Sequence, residues 1–295
     1  MNADGPATAE TLRGLLDLTR PGNTVAAGVL TFTGAFVAAG VDSSAVAVVA
    51  SVAATIFATG AGNAVNDYFD RDIDRINRPD RPIPRGAVSA RGALAFSVAL
   101  FLGAVVAALA LPLPAIAIAV VNLLALVAYT ELFKGLPGVG NIVVAYLTGS
   151  TFLFGAAAVG RLTDSAALVL FALAALATLT REIVKDVEDL AGDRAEGLST
   201  LPIVVGEGTA LRLGAVVLAV AVAASAAPYL LGTFGIVYLA LVVPADVLML
   251  AAVRQSFSDP SNAQRRLKRG MFLATGAFVT GRAVDVVGID VLGVL

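Results

Sequence analysis

Residues 44–74 read SAVAVVASVAATIFATGAGNAVNDYFDRDID, and this stretch joins the two patterns that decide the fold. Its first 22 residues contain no charged side chain, and a run of that length crosses the hydrocarbon core of a membrane as one helix. Its last nine residues, 66–74, contain four aspartates. The stretch therefore predicts a membrane helix that ends in a cluster of carboxylates.

The composition of the whole chain is also typical of a membrane protein. Of its 295 residues, 58% are hydrophobic and 14% are charged, and the mean hydropathy is +0.88. These values lie outside the range of ordinary soluble domains. We predict an all-α, polytopic membrane protein that forms a single domain, 1–295, with about nine spans. The spans are expected near 22–40, 44–65, 91–111, 114–130, 140–160, 165–183, 208–226, 229–253 and 270–290.

The arginines and lysines predict the orientation of these spans. They are concentrated in the loops 66–91 and 185–207, which follow the second and sixth predicted spans, and before the last span. By the positive-inside rule these loops face the cytoplasm. Residues 1–20 mix polar and apolar side chains and predict an interfacial helix. We therefore expect a multi-pass protein of the cell membrane with its active site on the cytoplasmic side.

The acidic cluster occurs twice in the chain. Residues 185–193 read KDVEDLAGD, and their aspartates repeat the spacing of the first cluster. The matching pairs, each 119 residues apart, are Asp67 with Asp186, Asp70 with Asp189, and Asp74 with Asp193. Because four predicted spans separate the two copies, both copies lie on the same side of the membrane, as in a parallel internal repeat.

The carboxylates of the two clusters predict a site for Mg²⁺. On a helix, positions i, i+3 and i+7 fall within about 60° of one another, so each cluster forms a stripe that needs a cation. The chain has no cysteine and no histidine, which excludes thiolate and imidazole ligands. Two facing clusters with nearby Lys and Arg side chains indicate two Mg²⁺ ions that bridge one diphosphate. A solvated, charged helix end would explain neither the duplication nor the interleaved arginines.

Further motifs accompany the two clusters. Asn66 precedes the first cluster, and an Arg-Pro-rich stretch, Arg78 to Pro84, follows it. Arg20-Pro21-x-Asn23 enters the first span, and Tyr129-x4-Lys134 ends the fourth. Together these motifs resemble the UbiA superfamily of membrane prenyltransferases over essentially the whole chain. The resemblance implies nine transmembrane helices around a central cavity and Mg²⁺-dependent ionisation of an allylic diphosphate. The prenyl group then joins an aromatic ring or an alcohol.

The clusters and the resemblance assign the site residues. The expected metal ligands are Asn66, Asp67, Asp70, Asp74, Asp186, Asp189 and Asp193. The expected catalytic residues are Asp70, Asp74, Asp189, Asp193, Tyr129 and Lys134. The expected substrate-binding residues are Arg20, Asn23, Asn66, Asp67, Arg71, Lys134, Lys185 and Asp186.

Some of these residues have an alternative structural interpretation. Tyr129 taken alone would be an interfacial aromatic residue, and Lys134 alone a positive-inside anchor. Arg71, Arg75 and Lys185 are equally typical of anchors and of phosphate ligands.

Three polar positions inside the spans are interpreted as structural. Asn122 is expected to join helices by hydrogen bonds, whereas Asn23 has the family match and is expected to be functional. Arg282 and Asp285 are three residues apart in the last span, and we predict a mutual ion pair.

The stretch from Tyr129 through Gly140-Asn141 resembles the branch of the family that makes archaeal ether lipids. That resemblance implies geranylgeranyl diphosphate as the prenyl donor and a lipid phosphate, geranylgeranylglyceryl phosphate, as the acceptor. An aromatic acceptor, as in quinone synthesis, is the alternative within the family. Membrane lipid surrounds the protein in either case, and no nucleic-acid partner is expected.

Two functions from other classes compete with prenyl transfer. A secondary transporter would place its acids near the middle of the bilayer, whereas these acids lie at helix ends beside arginines. An alcohol phosphotransferase would keep its aspartates in one contiguous signature, whereas these clusters are 119 residues apart.

Overall fold

A computed structural model describes residues 5–129, 133, 136–195 and 197–288, with the side chains described from residue 8 onward. Every regular element in these residues is a helix, as the composition predicts. The helices are α1 (Gly5–Thr19), α2 (Pro21–Ala39), α3 (Ala45–Phe69), α4 (Arg71–Asn77), α5 (Ala90–Ala108), α6 (Leu113–Ala128), α7 (Val139–Ala158), α8 (Ser165–Glu188), α9 (Leu190–Ala195), α10 (Leu201–Val205), α11 (Glu207–Ser225), α12 (Ala227–Leu230), α13 (Ile236–Ser256) and α14 (Pro260–Val287).

The helices fall into two compact units. Unit 1 consists of the residues up to 32 together with 44–112, and therefore holds α1, α3, α4, α5 and most of α2. Unit 2 consists of 33–43 and the residues from 113 onward, and therefore holds the end of α2 and the helices α6 to α14.

Each of the nine predicted spans corresponds to a helix, although not all of them are equally long. Among the described residues, eight helices are long and apolar enough to cross a membrane. The predicted span 114–130 corresponds to α6, which has only 16 residues. Its length is about 24 Å, which is shorter than the hydrocarbon core of a typical bilayer.

The starts of the last two predicted spans were wrong. The span predicted at 229–253 begins at Ile236, because Pro228 and the glycines at 232 and 235 interrupt the chain with α12 and a turn. The span predicted at 270–290 begins at Pro260, because Asp259 caps the helix by accepting a hydrogen bond from the Asn262 backbone N–H at 3.0 Å. Of the basic residues expected before the last span, Arg254 therefore lies in the last turn of α13, and the others lie within the first three turns of α14, namely Arg265, Arg266, Lys268 and Arg269.

The predicted motif loops 66–91 and 185–207 are also partly helical. The first contains the end of α3 and all of α4, and the second contains the end of α8 together with α9 and α10. Both helical segments break at one aspartate of the motif. Asp70 separates α3 from α4 with φ −81° and ψ 0°, and Asp189 separates α8 from α9 with φ −86° and ψ 0°. The two motifs therefore share a local geometry at matching positions, while a repeat of the wider fold stays a prediction.

In unit 1, α1 packs against the segment that joins α4 to α5. A Cβ at Gly14 would lie 2.9 Å from the Cβ of Ala87, so only glycine allows this close approach. Leu18 is fully buried in a cluster with Val88 and Ala93. The Asn63 side chain of α3 donates a hydrogen bond to the Thr19 carbonyl at 2.8 Å and so satisfies the end of α1. The first helix is therefore a fixed part of this unit.

In unit 2, polar side chains join helices inside the apolar core. Asn122 of α6 accepts a hydrogen bond from the Ser150 hydroxyl of α7 at 2.9 Å, which confirms its predicted structural role. Arg282 pairs with Asp285 at 3.0 Å, as predicted. Arg282 also donates to the Val37 carbonyl at the end of α2 at 2.6 Å. Such hydrogen bonds fix helix neighbours where lipid offers no competing partner.

Cysteine labelling tests whether the short helix α6 spans the membrane. We expect Asn77→Cys and Ser199→Cys to be labelled from the same side, because four predicted spans, α5, α6, α7 and α8, lie between them. Asp42→Cys, which is separated from Asn77 only by α3 and α4, should be labelled from the opposite side. The chain has no native cysteine, so each variant reports one position to a membrane-impermeant maleimide. Labelling of positions 77 and 199 from opposite sides would show that α6 does not cross.

Candidate active site

The first motif places two buried carboxylates around one guanidinium group. The side chains of Asp67 and Asp74 are 4% and 7% exposed. Arg81 Nη1 lies 3.2 Å from Asp67 Oδ1 and 2.5 Å from Asp74 Oδ2, so one nitrogen joins both acids. The seven-residue spacing brings the two aspartates to one side of the helical segment, as the sequence predicts. Burial of these charges requires a cation, and in this structure the cation is an arginine.

Arg20 supplies a second cation to the same cluster. Its Nη2 lies 2.6 Å from Asp67 Oδ1. Arg20 joins α1 to α2 with a φ of +51°, and it is the one non-glycine residue with positive φ in the described part of the chain. Residues other than glycine rarely adopt a positive φ, and arginine is not one of the types, such as Asn and Asp, that do so more often. The surrounding contacts must therefore hold this backbone conformation. The contact with Asp67 is one of them, which places the predicted substrate-binding residue Arg20 at the first motif.

The other residues of the first motif point outward. Asn66 and Asp70 are exposed, and no side-chain partner is recorded for either within the described residues. Arg71 donates to the Tyr68 carbonyl at 2.8 Å, and its guanidinium lies 4.9 Å from the Tyr68 ring centroid. Asp72 pairs with Arg75 at 3.2 Å on the exposed surface. The motif therefore has buried carboxylates that are paired with arginines and an exposed carboxylate, Asp70, that is available to a ligand.

Asn23 is hydrogen-bonded to Arg20 and, among the residues described, not to the paired carboxylates. Its backbone N–H donates to the Arg20 carbonyl at 2.8 Å, and its side chain is exposed. Within the described residues no hydrogen bond joins its amide to the first motif.

The second motif lies at the end of α8 and is organised by an asparagine of α7. Asn141 Nδ2 donates to Asp186 Oδ2 at 2.8 Å. Lys185 Nζ lies 3.4 Å from Asp189 Oδ2. Asp189 is exposed at the helix break, and Asp193 follows it on α9 with no recorded side-chain partner. The second motif thus also contains one carboxylate fixed by a hydrogen bond from another helix, Asp186. Its other two carboxylates, Asp189 and Asp193, have no such interhelical hydrogen bond within the described residues.

Tyr129 lies next to this asparagine. A Cβ at Gly140 would lie 3.3 Å from Cε2 of Tyr129 and 3.2 Å from the Phe133 carbonyl, so the tyrosine ring lies close over the glycine. Gly140 and Asn141 are consecutive, and the predicted catalytic Tyr129 is therefore placed beside the second motif within unit 2. The predicted catalytic residue Lys134 lies outside the described residues.

Unit 1 also contains a polar cavity of about 520 Å³ beside the first motif. Four arginines and three aspartates contribute to its wall. The lining residues are Asp17, Arg20, Asp67, Asn77, Arg78, Pro79, Asp80, Arg81, Pro82 and Arg85. Arg85 donates to Asp17 Oδ2 at 2.8 Å and to Glu10 Oε1 at 3.2 Å, which ties α1 to the segment between α4 and α5. The hydrogen bond to Asp17 raises the pKa of Arg85.

The carboxylate and amide oxygens of both motifs suit a hard cation. Among the described residues, however, neither motif forms a complete metal site by itself. Within the described residues, no group of three acidic side chains converges closely enough to hold a metal ion. In the part of the chain that the structure describes, the side chains of Asn66, Asp70 and Asp193 have no partner, and the exposed Asp189 has only Lys185. Mg²⁺ characteristically takes one or two carboxylates and completes its shell with water and substrate phosphates. The residues therefore fit Mg²⁺ bound together with a phosphorylated substrate.

Comparison with known proteins identifies the family. The UbiA prenyltransferase family matches this chain over residues 27–276. The chain belongs to that family. It is a membrane prenyltransferase, as the motifs predict, and its helical architecture is that of the family's solved structures.

Two relatives of high identity carry the same name. The chain is 67% identical over 279 residues to the digeranylgeranylglyceryl phosphate synthase of Haloquadratum walsbyi. The aligned region covers 95% of this chain and 98% of the relative. It is 66% identical over 273 residues to the synthase of that name from Natronomonas pharaonis, with 92% and 98% covered. A solved structure of a digeranylgeranylglyceryl phosphate synthase is 34% identical with a TM-score of 0.82, over 92% of this chain and 99% of that one.

A more distant structure agrees in fold. A UbiA homologue from Archaeoglobus fulgidus, solved with bound GPP and Mg²⁺, has a TM-score of 0.63 at 18% identity and covers 92% of this chain and 100% of that one.

Two residues of the site were not assigned from the sequence. Arg81 stands in the Arg-Pro-rich stretch, and its signal was a run of arginines between prolines. Asn141 was noticed only as part of a branch motif. Neither pattern shows which aspartate the side chain reaches. Arg81 reaches Asp74 only through the proline-rich turn after α4, and Asn141 reaches an aspartate 45 positions later.

The pairing at the first motif predicts a large stability effect. Arg81→Ala leaves two buried carboxylates short of a cation, which we expect to lower the free energy of unfolding by about 2 kcal/mol or more. Arg75→Ala removes an arginine whose partner Asp72 is exposed, and it should cost less than about 1 kcal/mol. Unfolding in mixed detergent micelles measures both. Equal stability of the two variants would contradict the assigned role of Arg81.

Proposed function

We propose that this protein transfers a geranylgeranyl group from geranylgeranyl diphosphate to the free glycerol hydroxyl of geranylgeranylglyceryl phosphate. The observation that carries the proposal is the 67% identity to a digeranylgeranylglyceryl phosphate synthase over 95% of the chain. The family membership supports the prenyl transfer, and the high identity supports the choice of lipid substrates. The product would be a glycerol phosphate with two ether-linked chains, as in archaeal membrane lipids.

The donor's diphosphate is assigned to the two aspartate motifs, with Mg²⁺. A homologue of the same fold binds GPP and Mg²⁺, which supports magnesium as the cation. Two ions are proposed because the motif occurs twice. Bound Mg²⁺ would supply positive charge that stabilises the departing diphosphate.

The protein's own residues would hold and orient the substrates. Asp70 and Asp189 offer open carboxylates at the two helix breaks, and Asn66 and Asp193 offer further oxygens nearby. Asn141 holds Asp186 in place, and Tyr129 lies beside it as a hydroxyl donor. Lys134 and Lys185 are proposed as cationic contacts to the diphosphate. We place this site at the cytoplasmic face, where the basic loops are expected.

The reaction exchanges one C–O bond for another. The bond between C1 of the prenyl chain and the diphosphate oxygen breaks, and both electrons leave with the diphosphate. The glycerol hydroxyl oxygen then bonds to C1 and gives its proton either to the released diphosphate or to an aspartate of the site. Because the allylic cation reacts with any nucleophile, the apolar helices must exclude water while it exists.

Substitution of the open aspartates tests the site. Asp70→Asn or Asp189→Asn should lower turnover by about 10²-fold or more, since each removes a charged ligand whose loss costs several kcal/mol of transition-state stabilisation. Activity should also require a divalent cation.

Asp72→Asn and Glu188→Gln are the matched controls for these variants. Both side chains are exposed, and Asp72 pairs with the exposed Arg75. We expect activities near that of the wild type. If Asp72→Asn were as inactive as Asp70→Asn, the assignment of Asp70 at the helix break would be wrong.

A series of acceptors tests the substrate. Geranylgeranylglyceryl phosphate enters from the bilayer by its tail, so shortening the tail should weaken binding by about 0.8 kcal/mol per lost CH₂ until the chain no longer partitions. The measurement is the acceptor KM with geranylgeranyl diphosphate held constant. If the enzyme prenylated 4-hydroxybenzoate efficiently and transferred nothing to the lipid phosphate, the acceptor would be aromatic and not a lipid. The assignment of prenyl transfer would still hold.

A further inference from the structure

The polar cavity of unit 1 offers more hydrogen-bond donors than free acceptors, since Asp80 is its one carboxylate without a side-chain partner among the described residues. Its buried carboxylate, Asp67, already accepts from Arg20 and Arg81. Asp17 accepts from Arg85. A metal ion would find these oxygens engaged by guanidinium groups. The arginines, by contrast, keep unused N–H groups, since Arg20 and Arg81 each commit only one nitrogen to their carboxylates.

The arginines are held in position before any ligand arrives. Asp67 and Asp74 fix Arg81, Asp67 also fixes Arg20, and Arg20 has the strained backbone described above. Proline residues at positions 79, 82 and 84 restrict the turn that carries the other three arginines, 78, 81 and 85. Preorganised donors lose little entropy when a ligand binds.

Arg78 is the member of this set with no recorded partner. It lines the cavity, its side chain is exposed, and within the described residues no hydrogen bond or ion pair involves its guanidinium. The guanidinium of Arg78 therefore has its N–H groups available for a ligand. Together with the two fixed guanidinium groups it can donate hydrogen bonds to several oxygens of one phosphate group.

We propose that this cavity binds the phosphate group of the acceptor lipid through Arg20, Arg78 and Arg81, with Asp67 as the residue that positions two of them. The inference rests on the proposed function, because that reaction brings two phosphorylated substrates to one protein. The donor's diphosphate needs open carboxylates for Mg²⁺, and this cavity has its buried carboxylate engaged. A phosphate monoester, which carries a charge of about −1.5 to −2 at pH 7, needs only N–H donors.

The test compares two acceptors in the same variant. Geranylgeranylglyceryl phosphate and geranylgeranylglycerol carry the same tail and the same reacting hydroxyl, and they differ only in the phosphate. The ratio of their kcat/KM values is the phosphate preference of the enzyme. We expect Arg78→Gln to lower this ratio by about tenfold or more, since a hydrogen bond to a charged group is lost. General damage to the protein cancels in the ratio.

Arg75→Gln is the matched control, because Arg75 lies three residues earlier, is exposed and does not line the cavity. Its phosphate preference should equal that of the wild type. An unchanged preference in both Arg78→Gln and Arg20→Gln would overturn the proposal. A raised KM for geranylgeranyl diphosphate with an unchanged phosphate preference would overturn it too, because the cavity would then hold the donor.

Asp67→Asn separates a positioning role from metal binding. If Asp67 holds the arginines, this variant lowers the phosphate preference while the Mg²⁺ concentration for half-maximal rate stays that of the wild type, and Asp67→Glu restores part of the preference. A shift in the Mg²⁺ requirement with an unchanged phosphate preference would instead make Asp67 a metal ligand and contradict its positioning role.

Direct binding distinguishes failure of this site from failure of the proposed function. Radiolabelled geranylgeranylglyceryl phosphate should bind the purified protein in detergent and be displaced by unlabelled lipid phosphate, and Arg78→Gln should weaken that binding by a similar factor. Inorganic phosphate that competes equally well would identify a site for free phosphate and overturn the lipid assignment. If the lipid binds through Arg78 but receives no prenyl group, the reaction is wrong and the phosphate site stands.

Discussion

A carboxylate buried at the end of a membrane helix must have a cationic or hydrogen-bonding partner, and the site described above is organised by that requirement. Asp67 and Asp74 meet it through Arg81, whose one nitrogen reaches both carboxylates. The contact fixes the proline-rich turn against the end of α3. Arg85 in the same turn binds Asp17 and Glu10 of α1, so the first helix is positioned by the same segment.

This requirement divides the aspartates into two classes. Those that are held, Asp67 and Asp74 in the first motif and Asp186 in the second, have a protein partner and serve to position other groups. Those at the helix breaks, Asp70 and Asp189, are exposed: Asp70 has no side-chain partner within the described residues, and Asp189 contacts only the half-exposed Lys185. One sequence motif thereby combines rigidly held carboxylates with exposed ones, and a preorganised catalytic site needs such rigid support.

The fold was largely predictable because hydropathy and charge report directly on the bilayer. The exceptions were local: Pro228 and two glycines delayed the start of α13, and the Asp259 cap advanced the start of α14 into a basic segment. At the site, the spacing of the aspartates predicted one stripe of three carboxylates, but only Asp67 and Asp74 share a side, because the helix breaks at Asp70 and leaves that residue exposed. The spacing also did not predict Arg81 as the partner of the two buried aspartates. Asn141 was missed as a partner of Asp186 because that contact joins residues 45 positions apart, and spacing within one motif carries no information on such contacts.

We propose that the exposed aspartates of the two motifs bind a divalent cation only together with a diphosphate. Equilibrium binding of Mn²⁺ to the purified protein, followed by electron paramagnetic resonance with and without an unreactive thiolodiphosphate analogue of the donor, tests it most directly. We expect weak binding without the analogue and about two Mn²⁺ ions per chain with it. Tight Mn²⁺ binding without the analogue, or no gain in binding when it is added, would contradict the account.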